Sequence, residues 1–222
     1  YRALGADAAR AMTDALRRAQ PDWTEHDLAG AGAEALWRRG IHPALTLVGG
    51  ERRLPRYRHP TAGPERLGER AMLVLCGRRH GLYASLTRFV YFRDPTAEER
   101  RLTEDVARVE AAAWAASTPG ATLGAAYARI VETYAALGHS GAELDHHQGG
   151  TTGYSSREAL GLPDQDTRIE ANTALAWNPS LPGAKIEDTA ITGEQGIEVL
   201  TVDPDWPTAT VEGRARPELL VV

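Results

Sequence analysis

Two amphipathic helices followed by β-capable segments, an order that occurs twice along 222 residues, restrict what this chain can fold into more than any other feature. Residues 4–19 (LGADAARAMTDALRRA) carry Ala, Leu and Met at helical spacing with Arg on the other face, and Pro21 stops the helix. TEHDLAGAGAEALWRRG then starts on Thr24 as an N-cap, with Asp27 three residues on, and ends at Gly40, a suitable C-terminal glycine. ALTLVGG is short, apolar and β-capable, and AMLVLCGRRHGLYASLTRFVYF predicts two strands around a turn near Arg78 to Gly81. The second round runs through TAEERRLTEDVARVEAAAWAAS and GATLGAAYARIVETYAALG, the latter helix opening at Thr122 and closing at Gly138. Its strand segments come late, at NTALAWNP, AKIEDTAIT and GIEVLTV. The shared Thr start, apolar period and Gly stop make a weak internal repeat, although any two amphipathic helices look alike at this level and that alternative stays open. Two similar α/β halves would leave a cleft between them, where ligands commonly bind.

Composition narrows the function classes. With 42% hydrophobic residues the chain can bury one substantial core or two small ones, and one α/β domain over residues 1–222 is the expectation. A formal charge of −5 and a pI near 5.8 provide no basic footprint for phosphate backbones or anionic membranes, so neither nucleic acid nor membrane is expected as a partner. Cys76, the single cysteine, cannot form an internal disulfide, which suits a reducing cytoplasm. The longest apolar runs, Ala71 to Cys76 and Ala111 to Ala116, fall well short of the roughly 20 residues that span a bilayer. The chain opens at Tyr1, already in a helical pattern, and is read as a fragment from which an N-terminal domain is absent.

Four segments in order, LVGGERRLPRYRHP, MLVLCGRRHGLYASLTRFV, HHQGGTTGY and WNPSLPGAKIEDTAITGEQGIEVLT, resemble the pita-bread superfamily of creatinase, prolidase and the methionine and proline aminopeptidases. The last is the most specific, and the matches run from about residue 45 to residue 201. The resemblance implies an α+β fold of two pseudo-symmetric helix-helix-strand halves around a curved antiparallel sheet. It also implies a dinuclear metal site of two Asp, one His and two Glu, hard donors that let two ions activate a water. This sequence departs from that set. Ser85 stands in SLTR where one Asp is expected, no carboxylate lies near Val74 to Cys76 for the other, and Asn178 replaces the Glu of a Glu-Pro pair. Only His147 and Glu187 stand at ligand positions, so no metal and no cofactor is expected.

Creatinase, which resembles the peptidases in fold and works without metal, is the informative comparison. By that resemblance His59, in RYRHP, is the acid-base histidine, an imidazole being able to take a proton from water and return it to a leaving nitrogen. His147 and Glu187 complete the expected catalytic set, with Glu187 orienting or charge-stabilising the imidazole. His146, Tyr83, Ser85, Arg88, Tyr154, Trp177 and Asn178 are expected to bind substrate or wall the cleft. Each has a plainer reading: His59 as a solvated loop residue, His146 and His147 as a hydrogen-bonded strand end, Arg88 as a structural ion-pair partner, and Arg52, Arg53, Arg56 and Arg58 as a solvated loop. Gly149 and Gly150 would allow a ligand close to the backbone. Strand alternation permits only one of Glu187 and Asp188 to face the cleft, and Glu187 is the better candidate. Three functions follow: a metal-independent creatinase-like hydrolase or lyase cleaving a C–N bond of a small polar substrate; a non-catalytic binding module; and a metallo-aminopeptidase or proline dipeptidase with altered ligands. A small molecule or short peptide is the expected substrate, and a homodimer the expected assembly.

Overall fold

The computed structural model describes residues 1–194 and 196–222. Helix α1 (Arg2–Arg18) turns Leu4, Ala8, Met12, Ala15 and Leu16 inward. Helix α2 (Glu25–Trp37) opens with a reciprocal capping box, in which Thr24 Oγ1 accepts from the Asp27 amide while Asp27 accepts from the Thr24 amide, and the chain leaves it through Gly40 at φ +65°. Strands β1 (His42–Gly50), β2 (Arg70–Arg79) and β3 (Leu82–Tyr91) follow. The β2–β3 hairpin turns on His80 and Gly81, at φ +53° and +85°, the left-handed pair that a two-residue hairpin loop requires.

The second half begins with α3 (Ala97–Ala116), again under a capping box from Thr96 and Glu99, and α4 (Leu123–Ala136), capped by Thr122. Its strands are β4 (Gly149–Thr152), β5 (Ala159–Leu160), β6 (Ala174–Trp177), β7 (Ser180–Leu181), β8 (Ala184–Lys185), β9 (Asp188–Gly193) and β10 (Gly196–Val199). A hairpin of β11 (Thr208–Val211) and β12 (Arg214–Pro217) and a short β13 (Leu220–Val221) complete the chain. The expected strand AKIEDTAIT is broken in two, because Ile186 bonds to Pro179 and Glu187 to Thr87 rather than to one continuous partner.

One sheet has the order β1-β2-β3-β13, antiparallel except for the parallel β3–β13 pair, and the other the antiparallel order β10-β9-β6-β4-β5. Helices α1 and α2 cover the first around Leu16, Leu36, Leu73, Leu75 and Leu86; α3 and α4 cover the second around Trp114, Ile130, Tyr134, Leu175 and Trp177. The expected two-half α+β architecture is therefore what the chain adopts. The sheets meet along a short seam. Thr87 N–H donates to the Glu187 carbonyl at 3.0 Å, the Ser85 amide donates to Thr189 Oγ1 at 2.8 Å, and the Thr189 hydroxyl returns a bond to the Ser85 carbonyl at 3.0 Å.

A buried ion cluster ties β3 of the first half to the second half and to the C-terminal hairpin. Asp188 accepts from Arg88 Nη2 at 2.7 Å, Thr201 Oγ1 at 2.5 Å and Arg216 Nη2 at 2.6 Å. Arg216 also pairs with Glu110 and lies 4.3 Å over the Trp114 ring. Burial pushes the Glu110 carboxyl up to about 8; against the same burial penalty, Arg88 and Arg216 hold Asp188 below its ordinary value. No helix among the described residues is long and apolar enough to cross a membrane.

Candidate functional site

Three of the seven histidines converge from two separate segments. His59 lies in the loop between β1 and β2, and His146 and His147 lie between α4 and β4. Ring centroids are 4.7 Å apart for His59 and His146, 5.7 Å for His59 and His147, and 6.1 Å for His146 and His147. The His59 loop is clamped by Glu25, wholly buried in the first turn of α2, which accepts from the Gly50 and Gly63 amides at 2.8 Å each and from Arg53. Pro60 is seated against Gly49, where a Cβ would come within 2.7 Å of its ring, and its carbonyl accepts from Val48 N–H.

The three imidazoles are not equivalent. His146 Nδ1 lies 2.6 Å from the His147 carbonyl and Nε2 lies 2.6 Å from Ser180 Oγ. A carbonyl only accepts, so Nδ1 carries the proton and Nε2 accepts from the Ser180 hydroxyl. Both nitrogens are occupied, which makes His146 a support. Among the described residues, no protein group hydrogen-bonds a ring nitrogen of His59 or His147. Burial, then Lys185, hold His59 below the ordinary imidazole value; for His147 burial is followed by Arg157 and Lys185. Solvent still reaches both side chains, so the depression is smaller than complete burial would cause, but its direction leaves both rings neutral at pH 7.

Glu187 faces these histidines and Asp188 faces away, as alternation requires. Glu187 accepts from Arg157 Nη2 at 2.6 Å and from the Thr87 hydroxyl at 3.1 Å, and it makes no hydrogen bond to His59, so it acts on that ring through its charge and not as its orienting partner. Arg58 pairs with Asp145 at 3.2 Å. Lys185, 5% exposed, donates to the Asn178 carbonyl at 3.0 Å and has no carboxylate partner among the described residues. Burial pushes its ammonium down to about 8; Glu187 pulls the other way, and Arg157 and Arg58 add to the depression. The crevice at Lys185, bounded by Arg58, Met72, Phe89 and Ser180, is only about 10 Å³. A larger concavity of about 260 Å³ lies between α3 and the β11–β12 hairpin; neither space is lined by a histidine, and it is the convergence of the three imidazoles, joined to Lys185 through its strand partner Ser180, whose hydroxyl bonds His146, that marks the candidate site.

Several expected site residues stand elsewhere. Trp177 points into the second core and donates its indole N–H to Ser117 Oγ at 3.0 Å, so it walls no cleft. Arg88 is consumed by Asp188 and by the Thr201, Glu187 and Thr87 carbonyls. Tyr83 lies under Arg78 near the β2–β3 turn, and Tyr154, 76% exposed, packs by Gly81. Ser85 is buried across from Cys76 with its backbone in the seam, and Asn178 is buried with Oδ1 unpartnered. Gly149 and Gly150 do bring backbone into close approach, but to the protein's own strands: a Cβ would meet Ala176 O at 2.2 Å and Ala159 O at 2.0 Å. Two loop arginines, Arg53 and Arg58, are ion-paired and not solvated. Sequence reasoning missed Arg157, Ser180, Glu25 and Lys185. The last carried a signal, being the only lysine in a chain with 24 arginines.

The residues present do not fit a dinuclear metal centre. Among the described residues no three His, Cys, Asp or Glu side chains converge so as to hold an ion, and the retained Glu187 is already neutralised by Arg157 beside a buried ammonium.

Residues 1–198 match the model of the metallopeptidase family M24. The chain is similar to the agropine synthesis cyclase of Rhizobium rhizogenes, 33% identical over 156 residues, which cover 64% of this chain and 39% of that protein. Among solved structures it is similar to the dipeptidase PepE of Mycobacterium ulcerans, with a TM-score of 0.85 at 23% identity over 100% of this chain and 58% of that one. The X-Pro aminopeptidase of Thermotoga maritima superposes with a TM-score of 0.83 at 19% identity, over 99% of this chain and 62% of that one. The prolidase of Pyrococcus furiosus superposes with a TM-score of 0.82 at 20% identity, over 91% and 62%. These likenesses show the pita-bread fold, and this chain spans less than two thirds of the length of each of those proteins.

Proposed function

The chain belongs to metallopeptidase family M24, and on that premise we propose that it is the catalytic-type domain of an acid-base enzyme that cleaves a C–N bond of a small polar substrate without a dinuclear metal. The observation that carries this reading is the convergence of His59 and His147, with ring nitrogens free of protein partners, beside Glu187. A neutral His59 takes a proton from water as the water oxygen adds to the substrate carbon. The resulting imidazolium returns that proton to the departing nitrogen, so the ring ends as it began. His147 binds the substrate, and Glu187 stabilises the transient imidazolium by charge. The donor set that fails to fit two metal ions supports the metal-free route.

A second reading is favoured by the relative described as a synthesis cyclase. In ring closure a hydroxyl or amine of the substrate replaces water as the nucleophile, and His59 serves in the same way. On either reading the partners are a small polar molecule or short peptide and a second copy of the chain.

The test is turnover of a panel of small amides, dipeptides and guanidino compounds, followed by released amine or ring formation, in excess chelator. Activity that persists there and falls in His59→Asn is the expected result. Activity that appears only with added manganese, cobalt or zinc overturns the metal-free route, and substrate binding without any turnover assigns the chain as a binding module.

A further inference from the structure

We propose that Lys185 is the anion-binding centre of this cleft and that the substrate presents a negatively charged oxygen to its ammonium. The inference rests on the histidine cleft being the functional site, and it adds both a residue and a substrate class to that reading.

The argument is first one of charge. The titratable groups around Lys185 are Glu187, Arg157, Arg58 and the three histidines. Arg157 is matched by Glu187 and Arg58 by Asp145, and the imidazoles are neutral. One positive charge is left over, on a side chain 5% exposed. A buried ion without a partner is expensive, and a chain that places its only lysine there while using arginine at 24 other positions keeps it for something other than surface charge.

The argument is then one of hydrogen bonds. An ammonium has three donors, and Lys185 uses one, on the Asn178 carbonyl. Arg58 Nη1 and Arg157 Nε are also buried without acceptors, against Asn178 Oδ1 as the unmatched acceptor nearby. Donors in surplus with a net positive charge call for an acceptor-only anion, which is what a carboxylate or an oxyanion is. The same surplus repels a divalent cation, so Lys185 supplies the positive charge that metal ions would provide in a metallopeptidase. Two sources share this chemistry: a carboxylate carried by the substrate, and the oxygen that becomes negative as the carbon is attacked.

The lone lysine makes the test direct. Protein labelled with 15N in lysine alone presents one side-chain signal, which is titrated against pH in sodium chloride, then with acetate, inorganic phosphate or acetamide at matched ionic strength. The expected result is a midpoint below that of an ordinary lysine that moves up by about one unit, a tenfold change in proton affinity, when anion binds. A shift with acetate identifies a substrate carboxylate; a shift with phosphate alone identifies the developing oxyanion. A midpoint that acetate and phosphate leave where sodium chloride puts it, or that acetamide moves equally, overturns the proposal. The measurement needs no turnover, so a failure of the acid-base reading leaves a distinct result from a failure here.

Discussion

Glu187 and Asp188 are neighbours in sequence and belong to two different kinds of buried charge. On the Asp188 side, two acids face two guanidiniums, α3, β3, β9 and β12 are tied together, and each guanidinium has an acidic partner. On the Glu187 side, three cations face two carboxylates, and among the described residues Lys185 has no carboxylate partner. Burial is common to both, so burial does not separate scaffold from site. The pairing of cations does: every guanidinium of the Asp188 cluster has an acid within the folded chain, whereas the Lys185 ammonium is matched only with something added.

This contrast can be broken most directly at His59. His59→Asn is expected to lower kcat by about 10²- to 10⁴-fold with little change in thermal midpoint, since the ring is partly solvated; an equal loss of stability would make it part of the scaffold. On the other side, Asp188→Asn leaves Arg88 and Arg216 short of an anion and is expected to cost about 3–5 kcal/mol in urea unfolding. A loss under about 1 kcal/mol would show that the cluster contributes little to the fold.

Lys185 sharpens the contrast through pH. Its ammonium is depressed from 10.5 to about 8, so between those values the unfolded chain binds more protons and stability rises with pH. The stability difference between Lys185→Met and the unsubstituted protein is therefore expected to shrink by roughly 2–4 kcal/mol from pH 8 to pH 10.5. The same substitution removes a cation that depresses both rings, so the His59 and His147 midpoints move upward in proton NMR. A flat difference would mean that the ammonium is solvated or paired. The smallest effect is expected at the loop clamp, where Glu25→Gln weakens the bond to Arg53 and keeps an acceptor for one amide. About 1–2 kcal/mol of stability should be lost, with KM rising more than kcat falls.

The local signals were readable because they are short. Thr24 with Asp27, Thr122, and the His80–Gly81 turn follow from capping and hairpin chemistry within a few residues. His59, His147 and Glu187 came from ordered motifs, and the chain does bring the two histidines and the acid to one place. What was not readable depends on pairing across distance. Arg88 and Asp188 are 100 residues apart, and no periodicity announces that they consume each other. Trp177 was a misreading that parity would have prevented, since it shares a strand face with Leu175 and both enter the second core. The β11–β12 hairpin escaped because TATV and RARP have little apolar alternation.

The seam between the sheets has a mechanical consequence. Ser85 and Thr87 on one side and Glu187 and Thr189 on the other join the halves over three positions, and away from that stretch the two sheets share no strand pairing among the described residues. The seam does not hold the halves alone: Arg88 reaches from β3 to Asp188 on β9, Tyr83 N–H donates to the Gly153 carbonyl, and Arg58 pairs with Asp145. The Glu187 carbonyl is one of the seam's pins and the Glu187 carboxylate faces the histidines, so the joint and the candidate site share a residue. Its backbone is pinned to Thr87 and its carboxylate to Arg157 and the Thr87 hydroxyl, so Glu187 gives the cleft an anion fixed from both ends.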